Sequence, residues 1–262
     1  MKKLVLMLFI FLTSCGTETA GGNKFIPSQQ TSELLKVFFS SMTQLNVGVF
    51  YEPGAEPFTQ SFITGKKAWD VTEDNMKALY DQRSQSVTYS IPKDLNQMTA
   101  LPSQNRAIWD YQSLVELNNS LSFGSSSGPT AEFSIIYVRG TFEGNSNVIG
   151  VSLTGTTIIA IFKDVVNSMT SSETQDVKNY VEQFTVVHEL GHALGLVNNG
   201  VPLTSNHHDS AHGSHCSNSS CVMNWVNEGG KEFVDFIKNY IISGRNTAFG
   251  SECLQDVRSF NP

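Results

Sequence analysis

Histidine is missing from the first 187 residues of this 262-residue chain, and basic side chains are scarce relative to acidic ones. Lys and Arg total 17 against 24 Asp and Glu, which gives a formal net charge of −7. Because phosphate contacts need a basic surface, this balance argues against a nucleic-acid partner. The apolar fraction of 40% at this length is enough for one sizeable core or two small lobes.

Cysteine is also rare, with four in the chain, and the first of them ends an apolar leader. Lys2 and Lys3 precede the apolar run 4–12, which is too short to span a bilayer. Leu-Thr-Ser-Cys at 12–15 resembles the lipobox of bacterial lipoproteins. The resemblance implies a signal peptide over 1–14, lipidation of Cys15 and, since Gly16 follows, an outer-membrane destination. A plain secretory signal is the alternative.

The polar segment 15–30 is expected to be a flexible tether, and no later run is long enough to span a membrane. The body is therefore expected to be soluble and tethered to the membrane. We also expect it to be a monomer. Three cysteines remain in it, Cys216, Cys221 and Cys253, so one disulfide can form and one cysteine is left over.

Hydrophobic periodicity predicts alternating helices and strands in the body. Helices are predicted over 31–45, 72–84, 105–121, 170–196 and 231–242. Strands are predicted over 45–53, 86–91, 131–140, 147–155 and 156–166, with Thr154-Gly155 as a tight turn. Ser172 and Gln175 are expected to form a capping box for the helix over 170–196.

That helix carries the sequence HELGHALG at 188–195. Four-residue spacing puts the His188 and His192 rings on one helix face, about 5–6 Å apart at Cβ, where both can bind one Zn²⁺. Glu189 is rotated around the helix axis toward a metal-bound water and can take a proton from it as general base. The sequence resembles the active-site helix of zinc peptidases, except that Asn198 stands where HExxHxxGxxH would have a third His.

The loop after the helix offers His207, His208, Asp209, His212 and His215 as replacements. The segment HCSNSSCVMNW at 215–225 resembles the archaemetzincin branch of the metzincins. The resemblance implies His215 as the third zinc ligand after an insertion, and Met223 as the Met-turn residue. His212 is the next candidate and Asp209 a more remote one, whereas His207 and His208 are expected to be idle or to support other ligands.

The resemblance implies an α+β zincin fold with a mixed, mostly parallel sheet and an active-site helix. An N-terminal subdomain would span 31–200, and a small C-terminal subdomain with the Met-turn and a helix would span 201–262. The strand over 147–155 would form the upper rim of the cleft, where an extended peptide adds as another strand. Trp225 stands where astacins have a Tyr, so no Tyr switch on the metal is implied.

Two cysteine positions limit the resemblance. Archaemetzincins bind a second, structural zinc with four cysteines, the last two in a C-x-x-C pair. Here only Cys253 is present in that region, and Asp256 stands at the other position of the pair. We therefore expect one zinc per chain and favour a disulfide between Cys216 and Cys221 over a metal knuckle.

The function implied is a zinc-dependent endopeptidase that hydrolyses peptide or protein substrates. One alternative is a gluzincin-like hydrolase with Glu228 or Glu232 as third ligand. Another is a zinc-binding surface lipoprotein without catalysis, which would need the ligands but not Glu189. A latent enzyme, with the stretch before residue 45 in the cleft, is a third.

Overall fold

The computed structural model describes residues 27–262, with side chains from residue 32 onward. The predicted signal peptide and Cys15 lie outside the described residues. Helices α1 to α7 span Pro27–Lys36, Asp70–Tyr80, Tyr111–Asn119, Lys163–Met169, Gln175–Ala193, Lys231–Ser243 and Ser251–Ser259. Strands β1 to β8 span Gln44–Tyr51, Thr88–Ser90, Thr99–Ala100, Ile108–Trp109, Thr130–Val138, Thr141–Phe142, Gly150–Ser152 and Ile158–Phe162.

The main sheet has the strand order β2-β1-β5-β8-β7, with β3 also pairing with β1. All pairs are parallel except β7 with β8, and β7 ends the sheet. The central strand β8 is apolar throughout, and β5 is buried from Phe133 to Val138, as strands covered on both faces require. The predicted mixed, mostly parallel sheet with helices is therefore confirmed.

Alternate residues of β5 supply two cores on opposite faces of the sheet. Ile135 and Tyr137 belong to the larger core, with Phe184, Val187 and Leu190 of α5. Ile136 and Val138 belong to the second core, with Trp109 and with Leu114 of α3. Since successive strand residues face opposite sides, one strand anchors both layers, and α5 is held flat against one face of the sheet.

Helix α5 begins two residues later than a Ser172 cap would place it. Thr174 is the N-cap, and its side chain accepts a hydrogen bond from the Val177 N–H. Ser172 and Glu173 instead belong to the preceding turn, in which the Glu173 N–H donates to the Thr170 carbonyl. The predicted capping box is therefore wrong, although the helix it was meant to start is present.

Two other predicted helices have different bounds from those expected. The helix predicted over 31–45 starts at Pro27 and ends in a π-turn, Val37–Ser41, after which Met42 is extended and Leu45 lies in β1. The helix predicted over 105–121 starts only at Tyr111, because Asp110 caps it by accepting from the Ser113 N–H.

The C-terminal part contains few regular elements before α6. A 3₁₀ turn, Trp225–Glu228, precedes α6, whose predicted span over 231–242 is confirmed to within one residue. The sequence did not predict α7, which carries Cys253. Within residues 27–262, no helix combines the length and apolarity needed to cross a membrane.

Candidate metal centre

Three histidines converge at the C-terminal half of α5. His188 and His192 lie one helical turn apart, with their Nε2 atoms separated by 3.0 Å. His215 comes from the loop after the helix, and its Nε2 lies 3.3 Å from that of His188. One donor atom from each ring lies within 4.8 Å of the others, and all three rings are buried. The structure thus brings together the three histidines proposed from the sequence.

Backbone carbonyls orient two of these rings. His188 Nδ1 lies 2.7 Å from the Val222 carbonyl oxygen, and His215 Nδ1 lies 2.5 Å from that of His212. A carbonyl only accepts, so each Nδ1 carries a hydrogen, and each Nε2 can offer its lone pair to a metal ion. Those lone pairs point at the common centre, which is the arrangement that a metal ion requires.

Burial keeps the two helix imidazoles neutral. It lowers the pKa of His188 to about 4, with a further contribution from His215, and it lowers the pKa of His192 well below its ordinary value. For His215, burial also lowers the pKa, but the hydrogen bond and the charge of Glu228, the His212 carbonyl and the charge of Asp209 together raise it above its ordinary value. Neutral imidazoles with converging lone pairs repel one another unless a cation lies between them. Three histidines that leave a fourth position open are a typical donor set for catalytic Zn²⁺, so the residues present fit that metal.

Glu189 lies beside the three histidines and under the edge strand β7. Its carboxylate is buried and accepts a hydrogen bond from the Ser152 N–H, while burial and then Glu228 raise the pKa of Glu189 to about 8. A Cβ added at Gly150 would lie only 2.7 Å from Thr185 Cγ2 and 3.1 Å from Glu189 Cγ. Because glycine occupies that position, β7 can pack directly on the face of α5 that carries Glu189.

Met223 lies against the motif helix between its two histidines. A Cβ added at Gly191 would be 2.3 Å from Met223 Sδ, so the motif glycine leaves the space that this side chain fills. The Met223 carbonyl accepts from the Cys216 N–H, and Asn227 donates to the neighbouring Val222 carbonyl. The turn that holds Met223 is therefore tied to the same segment that supplies His215.

The other predicted ligands lie outside this cluster. Asn198 is exposed, in a left-handed conformation with φ of 61°. His212 stacks on Trp225 with ring centroids 4.2 Å apart and pairs with Asp209 at 2.8 Å. His208 contacts the carbonyl of Gly213 at 2.6 Å.

Glu228, one of the two glutamates of the gluzincin-like alternative, contacts the cluster at His215, with its Oε1 3.2 Å from His215 Nε2. It also lines a cleft of about 840 Å³ that runs between the 141–148 segment, one face of α4 and residues 225–232. Glu228 therefore links a wall of this cleft to His215.

Among the described cysteines, the disulfide favoured between Cys216 and Cys221 is not formed. Cys216, Cys221 and Cys253 are all buried free thiols, and Cys221 Sγ lies 3.6 Å from Cys253 Sγ. A disulfide bond holds two sulfurs about 2.05 Å apart, so the Cys221 and Cys253 sulfurs are not bonded. Cys253 also lies close to Cys216 and to His207.

His207 is the residue that the sequence interpretation missed. The sequence predicts an idle or supporting loop residue at this position, but His207 is 3% exposed and lies against Asp256 and Cys216. One feature of the sequence does hint at the partners of His207. Cys253 and Asp256 have the i, i+3 spacing that places two side chains on one face of a helix.

No protein-family model and no curated protein matches this chain. Among solved structures, it is similar to the crystal structure of a zinc-dependent peptidase from Methanocorpusculum labreanum (strain Z). The two share 14% sequence identity at a TM-score of 0.45, over 80% of this chain and 99% of that chain.

Proposed function

We propose that this chain is a zinc-dependent endopeptidase of metzincin type, with His188, His192 and His215 as zinc ligands and Glu189 as general base. The observation that carries the proposal is the convergence of three buried imidazoles beside a buried carboxylate. Two of the imidazoles and the carboxylate come from α5, and the third imidazole comes from the loop that follows it. When bound, Zn²⁺ supplies a Lewis acid that polarises a peptide carbonyl and lowers the pKa of its water to about 7.

The free edge of β7 supports binding of an extended peptide. The Phe162 N–H donates to the Ile149 carbonyl and the Leu153 N–H to the Ile158 carbonyl. In an antiparallel pair, alternate residues turn their backbone groups away from the partner strand, here Gly150 and Ser152. The Ser152 N–H donates to Glu189, and a substrate strand can add at the backbone groups of Gly150 and the carbonyl of Ser152.

Glu189 is placed to move a proton at this edge. Its position next to His188 directs the carboxylate past the metal ligands, and the Ser152 N–H holds it against the rim. From there it can take a proton from the attacking water and pass it to the leaving nitrogen, which is the role of a general base that later acts as acid. A protein that only captured zinc would have no use for a carboxylate at this position.

The adjoining cleft provides room for side chains of the substrate. Val148, Val165, Met169 and Val226 give it an apolar lining next to Glu228. We propose that it accepts the substrate on one side of the scissile bond, because Glu228 links its wall to His215.

The cellular setting is part of the proposal. The lipobox-like segment supports a lipid-anchored protein of the bacterial envelope, in the outer membrane, working as a monomer whose tether precedes the subdomains 31–200 and 201–262. The proposal includes no nucleic-acid partner, given the net charge of −7.

Glu189→Ala tests the proposed function, with Glu116→Gln, an exposed position on α3 outside the cleft lining, as control. We expect Glu189→Ala to bind zinc at wild-type stoichiometry while losing about 10²–10⁴-fold of peptide hydrolysis, because only proton transfer is removed. Zinc by elemental analysis and hydrolysis of a casein digest are measured on the same samples. Near-normal turnover in Glu189→Ala would refute the assignment of the base. Zinc binding by the wild-type chain without any hydrolysis would favour the zinc-binding lipoprotein instead.

A further inference from the structure

Four buried side chains that have no part in the proposed hydrolysis meet beside the loop of His215. Donor atoms of His207, Cys216 and Cys253 all lie within 4.8 Å of one another. Cys221 Sγ lies 3.6 Å from Cys253 Sγ, and each of the four residues is at most 3% exposed. Three thiols and an imidazole brought to one point in a protein interior form a donor set for a soft or borderline metal ion.

The distances match tetrahedral coordination. With Zn–S of about 2.3 Å and Zn–N of about 2.0–2.1 Å, tetrahedral ligands lie about 3.8 Å apart for two sulfurs and about 3.5 Å apart for sulfur and nitrogen. The structure has 3.6 Å between Cys221 Sγ and Cys253 Sγ, and 3.3 Å between Cys216 Sγ and His207 Nδ1. Both contacts are far longer than a disulfide bond.

Asp256 fixes which nitrogen of His207 faces the sulfurs. His207 Nε2 lies 2.7 Å from Asp256 Oδ2, while the other carboxylate oxygen accepts from the backbone N–H and the hydroxyl of Thr204. The hydrogen of the imidazole is therefore on Nε2, and the Nδ1 lone pair is directed at Cys216. A carboxylate that accepts from a histidine whose other nitrogen faces a metal position is the usual outer support of such a ligand.

We infer that Cys216, Cys221, Cys253 and His207 bind a second metal ion, zinc in class, in a closed four-ligand site. The three thiols bind as thiolates, and their three protons pass to solvent. The Gly250 N–H donates to Cys221 Sγ at 3.1 Å, and Cys253 lies in the first turn of α7, so both features stabilise negative sulfur. With four protein ligands and no open position, the site is structural rather than catalytic.

This site joins three segments that are distant in sequence. His207 comes from the insertion after α5, Cys216 and Cys221 from the loop of His215, and Cys253 from α7. His207 and Cys216 are already connected by the strand-like bridge between His208 and Cys216 and by the bond from the Ser217 N–H to the His207 carbonyl, at 2.7 Å. A metal here would hold the insertion closed next to His215, and the expectation of a single zinc is replaced by two.

Cobalt substitution of the full-length chain separates this site from the three-histidine centre. Sulfur-to-cobalt charge-transfer absorption in the near ultraviolet arises only from thiolate ligands, so the three-histidine centre does not contribute to it. We expect this band in the wild-type chain, together with two metal ions per chain. One ion without the band, or a disulfide among these cysteines detected by mass spectrometry in the purified protein, would overturn the inference. Either result would leave the test of Glu189 unaffected.

Variants at position 207 test the fourth ligand. His207→Cys should intensify the charge-transfer band by adding a fourth thiolate, and His207→Ala should lower the metal content to one ion per chain. His208→Ala, the neighbouring position, should leave both the band and the stoichiometry unchanged. An unaltered band in folded His207→Cys would remove His207 from the coordination sphere. Because this variant retains a metal ligand, it answers the question even if His207→Ala does not fold.

Discussion

Glu228 lies against His215, with its Oε1 3.2 Å from the Nε2 that faces the metal centre. The carboxylate attracts a cation at that centre and also competes with it for His215. Two unit charges 4 Å apart gain about 4 kcal/mol at an effective dielectric constant of 20, and a divalent ion doubles this. A hydrogen bond to a charged group contributes only about 1.5–3 kcal/mol, so the attraction should prevail.

We therefore expect Glu228→Gln to weaken zinc binding by about 10- to 100-fold, in the range found for outer partners of metal ligands. Competition with a chromophoric chelator measures the dissociation constant. Glu232→Gln, on the same cleft wall, should bind zinc as the wild type does. Tighter binding by Glu228→Gln would show instead that the carboxylate acts mainly as a competitor for His215.

His215→Ala should weaken zinc binding at the three-histidine centre by more than about 100-fold, since losing a ligand costs at least as much as losing its outer partner. Asn198→Ala and His212→Ala should change it little, because Asn198 is exposed and His212 stacks on Trp225 outside the cluster. Isothermal titration of each zinc-free variant distinguishes them. If His212→Ala emptied the centre and His215→Ala did not, the proposed ligand set would be wrong.

Gly150→Ala should separate the rim strand from Glu189, because the added methyl group meets Thr185 Cγ2 at 2.7 Å. Overpacking of this kind costs about 1–3 kcal/mol, and a shift of about 1 Å near reacting groups can cost about 100-fold in rate. We expect a loss in kcat/KM with zinc content intact. Thr185→Ser removes the methyl group in the way and keeps the hydroxyl that donates to the Val181 carbonyl. The double variant should therefore recover part of the loss, and no recovery would mean that the clash is not the cause.

Local features of this site could be predicted from the sequence. His188 and His192 are four residues apart on a long amphipathic helix, and this spacing places them on a common face. The resemblance carried by the sequence around Cys216 and Met223 indicated His215 as the third ligand. The apolar runs within 131–140 and 156–166 likewise predicted the strands β5 and β8, whereas the mostly parallel pairing was implied by the zincin resemblance.

Features that depend on distant contacts could not be predicted in this way. The position of His207 is decided by Asp256, 49 residues further along the chain. Helix α7 is short and mostly polar, with Cys253, Leu254 and Val257 as its apolar residues, so the sequence gives little reason to expect it. The two-residue strands β4 and β6 are too short to show any period, and the start of α5 depends on which of several neighbouring hydroxyls caps it.

Cys15→Ser should release the protein from the membrane fraction, since Cys15 is the residue placed for lipidation at the predicted signal boundary. Ser14→Ala keeps a small residue before the cysteine and is the matched control. Detergent partitioning of cell fractions measures the change. Equal retention of Cys15→Ser and the control in the membrane would contradict the lipoprotein interpretation.

Lys163 and Glu182 form a buried ion pair that holds α5 to the start of α4. Both side chains are at most 3% exposed, Lys163 Nζ lies 3.2 Å from the centre of the Phe58 ring, and the Phe58 N–H donates to Glu182 at 2.6 Å. Burial disfavours both charges, because it raises the pKa of Glu182 and lowers that of Lys163. The pair therefore contributes little net stability, but neither member can be left alone.

Lys163→Met should accordingly lower the free energy of unfolding by about 3–5 kcal/mol, since it leaves a buried carboxylate without its partner. Lys163→Met combined with Glu182→Gln should be clearly more stable than Lys163→Met alone, because the neutral amide still accepts from Phe58 and carries no charge. Urea unfolding of the single and double variants measures both differences. A double variant as unstable as the sum of its two single variants would show that the two side chains act independently, and that the pairing does not hold α5 in place.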